Sequence, residues 1–170
     1  RVEIKTDFGS YDIAGSSAEE FPAIPQVDNK KEIQIKADVL KRLIMKTSFA
    51  LSTDELKPAL MGALLEVGED SIVSVATDGH RLAICSRKDY ESAGYTGDVV
   101  VPRKFLHLVL PYLDEQDEAV LWIGENHLTV SFDGITAFSR IIDERYPDYR
   151  SVLPQENDKI VKVDREKMLA

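Results

Sequence analysis

Two neighbouring side chains, Asp78 and His80, have the types needed for an orienting carboxylate and a general base. They flank Gly79, and a small hydrolase that uses the pair is one interpretation of this stretch. No nucleophile motif accompanies them, and the glycines fall in turn contexts, so there is no phosphate loop. His107 and His127 occur in unrelated surroundings, and no spacing brings two histidines onto one metal. The residues therefore favour a protein without a catalytic site, metal or cofactor.

A second kind of chemistry is the attraction of cations to phosphate. Apolar residues at helical spacing predict helices over 38–47 and 102–112, each with basic residues opposite its apolar face. If the two helices lie side by side, these residues form a surface that attracts a DNA backbone without reading bases. Ordinary solvated helix faces explain the same pattern and are favoured by the pattern alone. The basic residues are Lys41, Arg42, Lys46, Arg103 and Lys104.

Apolar residues near the ends of predicted segments form a third candidate site. Leu60, Leu82, Pro147 and Val152 can rim a groove for a peptide. Ordinary core packing accounts for them equally well, and the sequence leaves both interpretations open.

Charge and cysteine content limit the class of protein. The net charge of −9 argues against a generic DNA-coating protein but permits DNA contact through one basic face. The single Cys85 excludes internal disulfides and fits a reducing cytoplasm. No apolar run approaches the roughly 20 residues that a membrane-spanning helix needs. The chain opens on Arg1 in a strand-like run, so we expect a piece of a longer protein.

Alternating apolar residues predict several strands. Residues 71–77 and 82–87 alternate on either side of Thr77-Asp78-Gly79-His80, which predicts an antiparallel hairpin with Gly79 in its turn. Further strands are predicted at 2–4, 11–13, 33–35, 49–52, 62–67, 99–101, 119–123, 127–132 and from 135 onward. Asp38 is predicted as a helix N-cap, Pro102 as the first residue of the second helix and Pro111 as the residue that kinks or ends it. The class is α+β with internal pseudo-symmetry.

Two stretches of the chain repeat the same order of features. Each has a hairpin, an aromatic-Pro pair, a Pro-Gln linker, a strand and a helix start. Phe21-Pro22 and Tyr146-Pro147 lie 125 positions apart, and the strands at Ile33 and Val161 lie 128 apart. This period has the length of a domain. The chain therefore contains the tail of one repeat, one whole repeat and the head of a third.

Five motifs resemble, in order, the middle domain of the bacterial DNA polymerase III beta subunit, the sliding clamp family. They are Lys41-Arg42-Leu43-Ile44, residues 49–55 (Phe-Ala-Leu-Ser-Thr-Asp-Glu), residues 76–83 (Ala-Thr-Asp-Gly-His-Arg-Leu-Ala), Val101-Pro102-Arg103-Lys104 and residues 146–150 (Tyr-Pro-Asp-Tyr-Arg). The resemblance covers essentially the whole chain. It implies three parts: residues 1–25 end a first clamp domain, about 30–154 form the complete middle domain, and 155–170 begin a third.

The resemblance also implies a fold and a mechanism. Such clamps are ring-shaped homodimers of three-domain subunits that encircle duplex DNA, with helices inside and sheets outside. Two helices would pack on one side against antiparallel sheets, and the five basic residues would face the DNA. The implied role is a non-catalytic accessory subunit of the DNA-directed DNA polymerase III holoenzyme, a processivity factor in the bacterial cytoplasm.

Partners are implied as well. The polymerase catalytic subunit, the clamp loader and repair proteins bind such clamps through short linear motifs, in a pocket between the second and third domains. The matching positions are Leu60, Thr77, Gly79, His80, Arg81, Leu82, Pro147 and Val152. Because the wall from the third domain is missing, we expect the pocket to be incomplete, and we expect this piece not to close the ring. The rival hypotheses are a peptide-binding adaptor unrelated to DNA and the hydrolase named above.

Overall fold

The computed structural model describes residues 1–21, 23, 31–88, 90, 95–115 and 118–169. The strands are β1 (Val2–Thr6), β2 (Gly9–Ile13), β3 (Lys31–Lys36), β4 (Gly62–Val67), β5 (Ser71–Thr77), β6 (Leu82–Lys88), β7 (Gly97–Pro102), β8 (Glu118–Ile123), β9 (His127–Phe132) and β10 (Ile135–Arg140). The α-helices are α1 (Ala37–Thr47), α2 (Arg103–Val109) and α3 (Arg165–Leu169). Five 3-10 helices span Ala18–Glu20, Ser48–Ala50, Pro58–Met61, Leu110–Glu115 and Tyr149–Val152 in this part of the chain.

Two four-stranded antiparallel sheets carry the fold. The β3 sheet has the order β10-β9-β8-β3, and the β4 sheet has the order β6-β5-β4-β7. The β3 sheet joins distant parts of the chain, since Ile33 of β3 faces Leu121 of β8 across the ladder. The β4 sheet is local, because its four strands follow one another within residues 62–102. A separate β1-β2 hairpin has Val2 opposite Ile13 and Ile4 opposite Tyr11, all four exposed.

One hydrophobic core joins both sheets to both main helices. Inward residues of the β3 sheet such as Ile33 and Leu121, and of the β4 sheet such as Leu65, pack with Leu43 of α1 and Phe105 of α2. Fully burying a side chain of this size stabilises the fold by roughly 1.5–3 kcal/mol. The helices therefore cover one side of the sheets, and the predicted α+β class is confirmed.

The β4 sheet is buried on its opposite face as well. There Leu64, Val75 and Val100 pack against Tyr146 and Tyr149. The two tyrosines belong to residues 141–153, which follow β10 and which we call the exit segment. The segment is anchored at its start by the backbone N–H of Ile142, which donates to the carbonyl of Val100 (3.0 Å). The exit segment thus covers this face of the β4 sheet, which we call its outer face.

Most predicted elements are confirmed, including the hairpins at the two ends, the 71–87 hairpin and the strands of both sheets. The α2 helix ends two residues before Pro111 and continues as a 3-10 helix, as expected of a residue without a backbone N–H. The predicted linker at 25–30 lies outside the described residues.

Four local predictions are wrong. Asp38 is not the N-cap, because Ala37 is already helical and Lys36 takes the capping position; Asp38 lies in the first turn, where its charge still complements the helix dipole. Pro102 is the N-cap of α2 and not its first residue, and it still pairs with Gly62 in β7. Residues 48–50 form a 3-10 helix where a strand was predicted at 49–52, since a short apolar run does not distinguish a strand from a buried turn.

The fourth wrong prediction is the strand at 161–163, where no strand forms in the described part of the chain. A strand needs a pairing partner, and β3 finds one in β8. No described strand pairs with residues 161–163. The helix start after it does form, as α3, and Asp164 accepts a hydrogen bond from the backbone N–H of Lys167 (3.0 Å).

Candidate functional site

The predicted basic residues of α1 lie on its solvent side. Leu40, Leu43 and Ile44 are buried on one face, while Arg42 and Lys46 are exposed. Lys41 is half-buried and forms an ion pair with Asp114, which lies in the 3-10 helix that continues α2. This pair ties α1 to the second helical segment, by which we mean α2 together with the 3-10 helix that continues it, so the two segments lie against each other. The pair also neutralises part of the charge of Lys41.

The basic residues of the second segment stand at its start. Lys104 is exposed and Arg103 is half-buried, while Phe105, Leu106 and Val109 enter the same core as the apolar face of α1. Both segments therefore turn apolar side chains into one core and carry their cations outside it. Beyond Lys41, none of the five cations has an ion pair to a described residue within 4.0 Å.

The turn between β5 and β6 is held by a compact set of hydrogen bonds. Asp78 Oδ1 accepts from the backbone N–H of His80 (2.9 Å) and of Arg81 (3.0 Å), and its Oδ2 accepts from Arg81 Nε (3.0 Å). Thr77 Oγ1 accepts from the Gly79 N–H (3.0 Å) and donates to the Arg81 carbonyl (2.7 Å). Gly79 has φ +93, a conformation that glycine adopts without strain.

This arrangement bears on the hydrolase hypothesis. The backbone N–H groups of Arg81 and His80, and then the Arg81 guanidinium, lower the pKa of Asp78 to about 2. The carboxylate is thus used to fix the turn through the backbone of His80, and its hydrogen bonds within the described residues do not orient the imidazole. These hydrogen bonds stabilise the turn, and none of them orients the His80 side chain as a general base.

The predicted pocket residues come from three elements around the outer face of the β4 sheet. Leu60, in the 3-10 helix Pro58–Met61, and Leu82, at the start of β6, join the cluster under the exit segment. Pro147 follows the buried Tyr146 directly and is exposed, and Val152 is 68% exposed at the far end of the segment. The structure therefore brings Leu60 and Leu82 into one apolar cluster, with the Thr77–Arg81 turn beside it, and leaves Val152 open to solvent.

Tyr146 links the exit segment to the turn. Its ring is buried, and burial raises the pKa of Tyr146 to about 12, an effect that the nearby Thr77 backbone partly opposes. The hydroxyl lies beside that backbone, yet no described group completes a hydrogen bond of good geometry with it. The aromatic ring rather than the hydroxyl therefore fixes this contact.

A polar strap that the sequence did not reveal holds the other end of the exit segment. Glu66 of β4 accepts hydrogen bonds from the Tyr149 hydroxyl (2.7 Å) and from Arg150 Nη2 (2.8 Å), and the Arg150 guanidinium lies 4.7 Å from the centre of the Tyr149 ring. Burial, then the hydrogen bond to Glu66, raises the pKa of Tyr149 to about 12. Because these residues are separated by 83 and 84 positions, no local pattern indicates the contact.

Within the described residues, no group of three or more His, Cys, Asp or Glu side chains is placed to hold a metal ion. No helix in the same part of the chain is long and apolar enough to cross a membrane.

Comparison with known proteins decides the family. A sequence model described as "DNA polymerase III beta subunit, central domain" matches residues 34–148. The chain belongs to this family. The resemblance drawn from the five motifs is thereby confirmed, and the matched range includes α1, α2, the β4 sheet with its β5–β6 turn, and most of the β3 sheet.

Relatives within the DNA polymerase III beta subunit family match most of the chain. The "Beta sliding clamp" of Pseudomonas aeruginosa is 34% identical over 99% of this chain and 46% of its own length, and that of Bacillus subtilis is 34% identical over 98% and 44%. The solved structure of the DNA polymerase III subunit beta from P. aeruginosa superposes with a TM-score of 0.85 at 34% identity, covering 98% of this chain and 46% of that one. The chain thus spans less than half the length of these relatives, and it shares their fold.

Proposed function

We propose that this chain is part of a sliding clamp, a ring that encircles duplex DNA and tethers the replicative polymerase to it. The observation that carries the proposal is the arrangement of the two helical segments, which share one core and carry basic residues outside it in an acidic protein. Membership of the family supports the proposal, as do the relatives named beta sliding clamp.

The proposed DNA-facing residues are Lys41, Arg42, Lys46, Arg103 and Lys104. A few cations on helices attract phosphates over several ångströms without fixing a register, which suits a protein that must move along the duplex. The net charge of −9 then concentrates attraction at this surface, since the rest of the chain repels DNA. The ion pair with Asp114 makes Lys41 the weakest contributor.

The proposed partner pocket consists of Leu60, Thr77, Gly79, His80, Arg81, Leu82, Pro147 and Val152. The rigid turn and the anchored exit segment present these residues with little freedom, which lowers the entropic cost of binding a short linear motif. The polymerase catalytic subunit, the clamp loader and repair proteins are the proposed partners. Tethering raises the effective concentration of the polymerase at the primer end, so the protein contributes without an active site of its own.

The domain organisation is part of the same proposal. Residues 1–25 end a first clamp domain, 30–154 form the middle domain and 155–170 begin a third. The match over 34–148 lies inside the proposed middle domain and supports it. The full-length protein is then a ring-shaped homodimer in the bacterial cytoplasm, and the 170-residue chain by itself does not close the ring.

The test is retention of the full-length protein on circular duplex DNA. Replacing both Arg42 and Lys104 with Gln is expected to shorten the lifetime on DNA and to lower the slope of log affinity against log salt by about 2, or about 1 for each lost phosphate contact. The matched control replaces Arg87 and Lys88 with Gln, because these residues are exposed at the end of β6 and are not among the proposed DNA-facing residues. Retention that is equal in both double variants would refute the DNA-facing assignment and favour an adaptor unrelated to DNA.

A further inference from the structure

A second groove lies at the start of α2 and shares no residue with the proposed partner pocket. It has a volume of about 430 Å³ and opens between the loop that follows α1 and the start of α2. Its floor is apolar and is formed by Pro58, Met61, Pro102 and Ile142. Met61 is the neighbour of Leu60 in one 3-10 helix, yet Leu60 packs under the exit segment while Met61 lines this groove.

The floor is preformed. Pro102 pairs with Gly62 at the end of β7, and the Ile142 N–H is bonded to the Val100 carbonyl (3.0 Å). Two prolines restrict the backbone further, since each has a fixed φ. A ligand therefore meets a surface that does not have to be ordered on binding, which lowers the cost of association.

The charge of the groove contrasts with that of the protein. Arg103, Lys104 and His107 line one side, and none of the described residues that line it is Asp or Glu. Ser52 and Thr53 add hydroxyl groups on the other side. In a chain with a net charge of −9, an apolar floor beside clustered basic side chains selects ligands that combine an apolar group with negative charge.

We propose that this groove binds an acidic peptide segment of a partner protein, with one apolar side chain on the floor and flanking carboxylates on Arg103, Lys104 and His107. A peptide suits the groove better than an unpaired nucleotide does. Single-stranded nucleic acids bind through aromatic platforms on which bases stack, and the described lining residues include no Phe, Tyr or Trp. Methionine instead adapts its shape to varied aliphatic and aromatic side chains.

The groove shares Arg103 and Lys104 with the proposed DNA-facing surface. An acidic segment seated there occupies two of the cations that would otherwise meet phosphate, so peptide and duplex compete. This competition rests on the proposed function, whereas peptide binding itself rests on the groove alone. The competition makes the groove a means for a partner to release the ring from DNA or to keep a free ring off it.

The test uses the full-length protein and a fluorescein-labelled peptide, Asp-Glu-Trp-Glu-Asp, followed by anisotropy. Met61→Gln keeps the length of the side chain but makes the floor polar, and it is expected to weaken binding about tenfold, the equivalent of one lost apolar contact. Lys104→Gln is expected to weaken binding several-fold and to reduce its salt dependence. Lys88→Gln, a cation outside the groove, and Leu82→Ala, in the partner pocket, are expected to leave it unchanged.

The variants also separate this inference from the proposed function. Met61→Gln is expected to retain DNA normally, since Met61 is not among the DNA-facing residues, and unlabelled duplex is expected to displace the peptide. Equal binding of an Asn-Gln-Trp-Gln-Asn peptide, unchanged binding by Met61→Gln, or loss of binding in Leu82→Ala would each overturn the inference. If Met61→Gln weakens the binding of a labelled oligothymidylate more than it weakens the binding of the peptide, the groove is instead a site for single-stranded DNA. Thermal unfolding of each variant shows that loss of binding does not come from loss of the fold.

Discussion

Replacing Gly62 with alanine tests how closely the exit segment must approach the β4 sheet. A Cβ at this position would lie 2.8 Å from Ile142 Cδ1, from Val100 Cγ1 and from the Val101 carbonyl oxygen. The backbone is not the obstacle, because Gly62 has φ −122 and ψ 160, values that alanine adopts freely. The two side chains can turn away in part, but the Val101 carbonyl is held in the ladder that pairs Val101 with Ala63.

The expected loss of stability follows from these contacts. Overpacking of this kind costs roughly 1–3 kcal/mol. Alanine also has less conformational freedom than glycine in the unfolded chain, and this offsets about 0.4–1 kcal/mol of that cost. We therefore expect the free energy of unfolding to fall by about 1–2 kcal/mol, which lowers Tm by roughly 2–8 °C in a domain of this size.

The assay is urea unfolding, with two companion variants. Gly15→Ala is the control, because a Cβ at Gly15 meets no atom within 4 Å and its change is expected to stay within about 0.5 kcal/mol. Ile142→Val removes the clashing Cδ1, so the Gly62→Ala and Ile142→Val changes together are expected to cost less than the sum of the two. An alanine at position 62 that leaves stability unchanged, or costs that simply add, would refute the close approach.

Three further perturbations test the strap, the turn and the buried tyrosines. Glu66→Gln is expected to lower the free energy of unfolding by about 1 kcal/mol, since it loses the charge-assisted bond to the largely exposed Arg150 and keeps one acceptor for Tyr149; urea unfolding measures it. Asp78 has its pKa lowered from 3.8 to about 2, so its contribution to stability is present above pH 3.8 and is lost as the pH falls through 2; Asp78→Asn is expected to show a lower Tm than the wild type above pH 4 and a deficit that shrinks as the pH falls from 4 to 2. Burial raises the pKa values of Tyr146 and Tyr149 to about 12, so we expect these two side chains to ionise near pH 12 and stability to fall as the pH rises from 10 to 12; tyrosinate absorbance and Tm record the two changes together.

Each of these three has a clear contrary result. Glu69 is an exposed carboxylate close to Glu66 in sequence. If Glu69→Gln destabilises the protein as much as Glu66→Gln does, the strap does not account for the effect of Glu66. A Tm deficit in Asp78→Asn that persists unchanged at pH 2 would show that the carboxylate does not act through its charge. Simultaneous ionisation of all six tyrosines near pH 10 in the folded protein would show that neither tyrosine is held away from water.

Local patterns in the sequence were enough to predict the elements that carry the candidate site. The alternation around Thr77–Leu82 and the turn chemistry of Asp78-Gly79 predict the hairpin, because the residues that decide it are adjacent. The helical faces of α1 and α2 follow equally from spacing, since amphipathic helices must bury one stripe.

Contacts between distant residues could not be read in the same way. The Glu66–Tyr149–Arg150 strap and the pairing of Lys41 with Asp114 join residues that no periodicity connects. The failed strand at 161–163 has the same origin, because β-strands depend on a partner that the strand itself does not encode. The apolar groove beside α2 was also missed, since it is made by three separate segments that meet only in the fold.

Because one sheet is formed by neighbouring strands and the other by distant strands, the two sheets can form at different times while the chain is being synthesised. The β4 sheet can assemble once residue 102 has emerged. β3 ends at residue 36 but its partner β8 begins only at residue 118, so β3 stays unpaired while residues 37–117 are made. At about 5–20 residues per second this wait lasts roughly 4–16 s. During that time the apolar Ile33 and Ile35 are exposed on a strand with two free edges, and the charges of Lys31, Glu32 and Lys36 on the same strand are what discourages it from pairing with a neighbouring nascent chain.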